Sequence, residues 1–191
     1  MSDFIKQFID DKYKQIDIWK ESDKSKIVLA YDKSDRQVYV IKYLKNKDVP
    51  YQELKKIDNR ILPRIYYIFD GNEEVILVEE YICGITLQEL VEKEKFLSDE
   101  KIQDILVQLC EGLKKLHQRD IIHRDINLNN IMLTNDGIVK LVDFDTVRTF
   151  KYNQDFDTTY LGEFDQANVL MRNYLQIYPD DQEALREYAV R

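Results

Sequence analysis

The residues able to do chemistry in this 191-residue chain gather between Ile121 and Arg148. The stretch reads I-I-H-R-D-I-N-L-N-N-I-M-L-T-N-D-G-I-V-K-L-V-D-F-D-T-V-R. Two charged triplets, His123-Arg124-Asp125 and Asp143-Phe144-Asp145, bracket two short apolar runs, Ile131–Leu133 and Val139–Val142. Asn135-Asp136-Gly137 separates those runs, and glycine supplies the positive φ that a tight hairpin turn requires. Such a hairpin holds Asp125, Asn130 and Asp143 near one edge. A carboxylate that orients an attacking hydroxyl, beside hard oxygen ligands for magnesium, is the equipment of phosphoryl transfer. Either triplet alone reads more often as an ordinary charge cluster at a helix end or in a loop. The two in order, around a hairpin and after a helix, make that plain reading the weaker one.

The elements that must position this set follow from periodicity. Phe4, Ile5, Phe8, Ile9, Tyr13 and Ile16 recur at helical spacing, which predicts an N-terminal helix over residues 4–16. Short strands are expected at Ile16–Trp19, Ile27–Tyr31 and Val38–Tyr43, with Asp32-Lys33-Ser34-Asp35 as a turn. Asp48-Val49-Pro50 suits a helix start that runs to about Asp58, with Asp48 as N-cap and Pro50 in the first turn. Ile65–Phe69 and Val75–Glu80 read as strands around Asp70-Gly71-Asn72. Thr86 caps a helix over Leu87–Lys93. Ser98-Asp99-Glu100 opens a longer one ending at His117, with Ile102, Ile105, Leu106, Leu109, Leu113 and Leu116 as its apolar stripe. Further helices are expected over 163–176 and from about residue 180, with Tyr174, Leu175, Leu185 and Tyr188 facing inward.

Composition sets bounds. Hydrophobic residues make up 44% of the chain and aromatic ones 12%, enough for one core or for two small lobes sharing a cleft. A net charge of −8 argues against nucleic acid or an anionic membrane as the main partner. Two cysteines, Cys83 and Cys110, are too few for a disulfide framework and suit a reducing, cytoplasmic compartment. The first residues lack the basic and apolar regions of a signal peptide, and no apolar run is long enough to span a bilayer.

H-R-D-I-N-L-N-N matches in full the catalytic-loop pattern H-R-D-x-x-x-x-N of protein kinases, and D-F-D matches D-F-G in two of three positions. The chain therefore resembles the protein kinase-like family, bacterial Ser/Thr protein kinases in particular, over roughly residues 16–162. That resemblance implies an α+β, two-lobed fold: a small antiparallel β lobe with its N-terminal helix over residues 1–80, and a reduced, mainly helical lobe over 81–191. It implies ATP with Mg²⁺ or Mn²⁺, and transfer of the γ-phosphoryl group to a hydroxyl, on Ser or Thr of a protein, itself included. By resemblance Asp125 orients or deprotonates the hydroxyl, and Asn130 and Asp143 hold the metal. Val38–Tyr43 stands for the V-A-I-K strand, so Lys42 grips the phosphates, although a lone lysine ending a strand is ordinarily solvated. Glu53, or failing it Asp48, is the helix carboxylate that fixes Lys42. The backbone of Glu80 and Ile82 meets the adenine edge, Val40 and Met132 sandwich the ring, and Glu79 occupies the gatekeeper position. Arg124 pairs with a phosphorylated residue, for which Thr158 and Thr159 are the candidates.

The sequence departs from the family in several places. The positions of the glycine-rich loop fall on Lys20, Ser22 and Ser25, and the first glycine in the chain is Gly71. Lys20, Ser22, Lys24, Ser25 and Lys26 either replace the missing backbone contacts with side-chain donors or form a solvated tip. Asn127 stands where Ser/Thr kinases have a lysine, and no G-T-x-G-Y-x-A-P-E run follows Gly162. Two other functions stay open on these grounds: a pseudokinase-like nucleotide-binding regulatory module, and a kinase acting on a small molecule.

Overall fold

The computed structural model describes residues 3–45, 48–71, 73–93 and 97–149. Thr158, Thr159 and the helices expected beyond residue 162 lie outside the described residues.

Five antiparallel strands form the first layer: β1 (Tyr13–Glu21), β2 (Ser25–Asp32), β3 (Val38–Leu44), β4 (Ile65–Asp70) and β5 (Val75–Glu80), in the order β1-β2-β3-β5-β4. Central strands β3 and β5 read as nearly continuous apolar runs because both of their faces are covered. Tyr39, Ile41, Ile76 and Val78 point to the outer face, where α1 (Asp3–Lys12) lays Ile9 over them. Phe8 of α1 meets Phe69 and Tyr67 at ring distances of 5.6 and 6.2 Å. Leu44, Val75 and Leu77 point to the other face and join the main core. Alternation therefore puts Lys42 and Glu79 on that inner face too.

The N-terminal helix is shorter than its spacing predicts. It stops at Lys12, and Tyr13 and Ile16 belong to β1, paired with β2 from Tyr13↔Asp32 to Glu21↔Lys26. Register shifts between Gln15 and Asp17 and between Ile18 and Lys20 break the period of two, so this strand shows no alternation in the sequence. Tyr13 is buried against Tyr39, which a helix end and a strand start satisfy equally well.

The second expected helix is also shorter. As α2 it spans only Tyr51–Lys55, and its N-cap is Pro50, with no side-chain cap bond. Asp48 is exposed and lies two residues before that N-cap. The remaining elements are β6 (Gly84–Thr86), α3 (Leu87–Lys93), α4 (Asp99–His117), β7 (Ile121–Ile122), β8 (Ile131–Thr134), β9 (Val139–Leu141), a 3-10 turn (Phe144–Thr146) and β10 (Arg148–Thr149). Thr86 and Glu89 form a reciprocal capping box at α3: Thr86 Oγ1 accepts from the Glu89 amide at 3.1 Å, and Glu89 Oε2 accepts from the Thr86 amide at 3.0 Å. Ser98 caps α4 by accepting from the Lys101 amide at 3.3 Å.

Helix α4 buries Ile105, Leu109, Leu113 and Leu116 from the expected stripe. It also buries Gln108, which clamps the hairpin. The Gln108 amide nitrogen donates to Gly137 O, and its carbonyl oxygen accepts from the Val139 amide, each at 3.0 Å. β8 and β9 pair as expected, and Gly137 takes φ 76° in the turn. β6 lies against β8 so closely that a Cβ on Gly84 would strike the Leu133 carbonyl.

Candidate active site

The catalytic stretch is anchored from below. His123 is fully buried, its ring edge-on to Phe144 at 4.9 Å. Burial pushes its pKa down to about 4, so the ring is neutral at pH 7 and Nε2–H donates to Val142 O at 3.1 Å. Thr146 Oγ1 donates to His123 O at 2.9 Å, which ties the two charged triplets together. Arg124 sits at φ 71° and Asp143 at φ 65°, left-handed conformations uncommon for non-glycine residues and shared here by Arg36 and Asp120 in turns.

Asp125 is held by two carboxamides. Its Oδ2 accepts from Asn130 Nδ2 at 2.8 Å and its Oδ1 from Asn127 Nδ2 at 2.9 Å, while Asn130 Nδ2 also reaches the Asp125 carbonyl at 3.0 Å. Asn127 Oδ1 accepts from the amides of Asn129 and Asn130 at 2.9 and 3.2 Å. Asn127 is thus the internal brace of the loop. The Val142 amide donates to Asn130 O at 2.8 Å, so the chain enters Asp143 beside Asn130. With the Asn130 amide nitrogen spent on Asp125, its carboxamide oxygen remains, and together with the Asp143 carboxylate it makes a hard-oxygen donor set that fits magnesium. Arg124 Nε is buried and has no hydrogen-bond partner among the described residues.

On the opposite wall Lys42 Nζ lies 3.1 Å from Glu79 Oε2, and both side chains are nearly buried. Burial pushes the Lys42 pKa down, but the charges of Glu79, Asp145 and Asp143 outweigh it and hold the pKa above its ordinary value, so the ammonium persists. Burial pushes the carboxyl of Asp145 up, and Lys42 partly offsets this. The Tyr51 hydroxyl is buried and has no hydrogen-bond partner among the described residues. Its pKa is raised by burial and by Asp145, Glu79 and Asp143.

Glu53 does not fill the role expected of it. It is exposed on α2 and its carboxylate lies 2.6 Å from Lys56 Nζ. The five-residue α2 has room for one buried face, and Tyr51 and Leu54 occupy it, which turns Glu53 outward. The partner of Lys42 is Glu79. A sequence signal for it existed: with β3 and β5 antiparallel, a carboxylate inside an apolar strand falls two residues from the position opposite Lys42, a diagonal neighbour on the same face.

The turn between β1 and β2 closes on itself. The Ser22 amide donates to Ser25 O at 2.9 Å, and Ser22 Oγ accepts from the amides of Lys24 and Ser25 at 3.3 and 3.2 Å. Lys26 pairs with Glu21 at 3.3 Å. The positive charge of Lys20 on β1 is a minor influence favouring the charged form of Asp145.

At the connection after β5, the Glu80 carboxylate receives both bonds of Lys140 Nζ, at 2.9 and 2.8 Å, and the Arg64 amide at 3.0 Å. Neighbouring glutamates thus serve different partners: Glu79 turns to Lys42 in the sheet, Glu80 to Lys140 on β9. Val40 and Ile82 are buried and Met132 half-buried. Trp19 on β1 reaches Tyr81, with ring centroids 6.0 Å apart.

A strand lysine paired with a buried carboxylate, a braced Asp–Asn loop and a left-handed Asp after a hairpin come together in an α+β fold. The protein kinase domain family model matches residues 21–168, and the chain belongs to this family. It is similar to the serine/threonine-protein kinase Nek5 of Mus musculus, 32% identical over 161 residues, 80% of this chain and 26% of that protein. It is also similar to a probable serine/threonine-protein kinase of Clostridium acetobutylicum, 31% identical over 81% of this chain and 22% of that protein. With the serine/threonine-protein kinase PknA of a Nostoc species it shares 38% identity over 46% of this chain and 16% of that protein. The chain thus spans about a quarter or less of the length of these relatives.

Proposed function

We propose that the chain is an ATP- and Mg²⁺-dependent phosphotransferase that moves the γ-phosphoryl group to a hydroxyl, on Ser or Thr of a protein, with itself among the acceptors. Residues 1–80 would form one wall of the cleft and 81–191 the other. The observation that supports this most is the Asp125 carboxylate, fixed by two side-chain amides in one orientation. A group held this way orients an acceptor hydroxyl without reorganising at the moment of transfer. Lys42 would position the phosphates, and Asn130 and Asp143 would hold the metal. When bound, the metal neutralises charge on the phosphate oxygens. Val40 and Met132 would flank the adenine ring, and the backbone of Glu80 and Ile82 would meet its edge. Arg124, with a buried Nε, would receive a phosphate on Thr158 or Thr159. Two cysteines, Cys83 and Cys110, suit a cytoplasmic setting, and among the described residues no helix is long and apolar enough to cross a membrane.

The experiment is transfer from radiolabelled ATP by the full chain, alone and with protein and small-molecule acceptors. Label on protein, lost in Asp125→Asn, supports the reading; label on a small molecule alone reassigns the acceptor. One observation favours a second reading, a nucleotide-binding regulatory module. The turn at Ser22–Ser25 spends backbone amides internally that a phosphate-covering loop would offer to ATP. Nucleotide binding without transfer, across metals and acceptors, would select that reading.

A further inference from the structure

We infer that Glu79 is the residue that positions Lys42 for phosphate, and that the pair is built into the sheet rather than assembled by a helix. This deepens the proposed function and rests on it.

The inference follows from register, burial and charge. Lys42 stands opposite Leu77 on the neighbouring strand, and Glu79 is two residues further along β5. Diagonal neighbours on one face of an antiparallel pair are ~7–8 Å apart at Cα, a gap that a lysine and a glutamate span together. The observed 3.1 Å contact closes it. Glu79 is itself shut off from water, lining a small recess with Leu54, Leu62, Ile65 and Phe144. A buried carboxylate is tolerated there because a buried ammonium faces it. The helix that could have supplied a partner is five residues long and points its only glutamate at Lys56 in solvent.

The consequence concerns regulation. Where a strand lysine depends on a helix carboxylate, displacement of the helix disarms the site. Here both charges belong to adjacent, fully hydrogen-bonded strands. Moving α2 leaves them in place, so the lysine stays armed with or without ligand.

Competitive acetylation of the native full chain at pH 8, with the Lys42 peptide quantified by mass spectrometry, tests this without needing activity. In Glu79→Gln, burial is no longer balanced by the nearest carboxylate, so the Lys42 pKa falls and its free amine becomes more abundant. We expect labelling about tenfold faster, the effect of one pKa unit. Glu79→Asp should restore most of the protection, which guards against a misfolded Gln variant, and Glu53→Gln should label as wild type. In steady-state assays Glu79→Gln should raise KM for ATP more than it lowers kcat, a split that loss of stability alone would not produce. Labelling of Lys42 within twofold of wild type in Glu79→Gln, or an equal rise in Glu53→Gln, overturns the assignment. Failure of MgATP to slow Lys42 labelling in the wild type would instead sink the proposed function, whatever the variants do.

Discussion

The floor and the roof of the cleft are built by opposite means. On the floor, residues 123–130 and 143 are fixed from within the protein: a neutral buried histidine, two carboxamides on one carboxylate, and two left-handed residues held against their preference. On the roof, the turn at Ser22–Ser25 is mostly exposed and bonded chiefly within itself, with the Lys45 amide donating to Lys24 O as its tie to the sheet. The floor is ordered by bonds among its own side chains and backbone. The roof turn satisfies its own backbone and offers little. Between them, Lys42 is held by the sheet and not by the turn. Sensitivity to substitution should therefore be steep on the floor, intermediate at Lys42 and shallow on the roof.

The largest effect is expected at Asp125. Asp125→Asn keeps the shape but loses the charge that orients the hydroxyl, and should cut transfer by roughly 10²- to 10⁴-fold while nucleotide affinity is nearly unchanged. Radiolabel transfer and ATP titration check the two halves separately. A variant that retained transfer would place the chemistry elsewhere and end the contrast.

The next effect tests how firmly the floor is held. His123 is neutral in the folded protein, its pKa pushed down to about 4 from 6.5. Between those values the unfolded chain binds the extra proton and the folded one does not, so stability rises with pH across that window and is flat above it for this group. The full shift corresponds to roughly 3 kcal/mol lost on acidification. Urea unfolding of wild type and His123→Phe, at pH 4.5 and 7, measures it. Equal losses in both proteins would mean that other groups govern the acid limb.

Asp143 probes the metal set. ATP with Mg²⁺ should raise the melting temperature, by mass action worth about 2.7 kcal/mol at a hundredfold excess over Kd. Asp143→Asn should remove the metal-dependent part. An equal shift with ATP and EDTA in the wild type would show that Asn130 and Asp143 hold no cation with the nucleotide.

The same contrast marks how far the sequence could be read. The floor was legible because its chemistry is local. His123 to Asn130 are consecutive, the hairpin turn carries its own glycine, and the strand pattern on either side is unbroken. The α+β layout and the central strands were legible for the same reason, since burial on both faces leaves a continuous apolar run. What escaped depended on neighbours remote in sequence. Glu79 meets Lys42 only through the register of two strands 37 positions apart in numbering, as their pairing shows (79 − 42). Gln108 reaches the hairpin from α4, and Glu80 reaches Lys140 across 60 positions. Glu53 looked like the helix carboxylate because the helix looked longer; once Tyr51 and Leu54 claim its single buried face, no face remains for it. β1 was cut short because its two register shifts erase the alternation that identifies a strand.

The smallest effect is expected on the roof, and it decides whether the contrast is real. Ser22→Gly combined with Ser25→Gly restores glycine at two positions of the family loop and removes the hydroxyl that accepts the Lys24 and Ser25 amides. Those bonds are exposed and near the long end of the hydrogen-bond range, so their loss should cost less than about 1 kcal/mol of stability. If Lys42 and the floor carry phosphate positioning, kcat should be unchanged and KM for ATP should move by no more than a few-fold, roughly the worth of one neutral hydrogen bond. Steady-state kinetics at saturating and limiting ATP read both. A tenfold or greater gain in ATP affinity would show that the closed turn holds binding back, and the roof would then be a tuned part of the site. A collapse of kcat would show that the serine-braced turn shapes the reacting geometry itself, and the division between an ordered floor and an indifferent roof would be wrong.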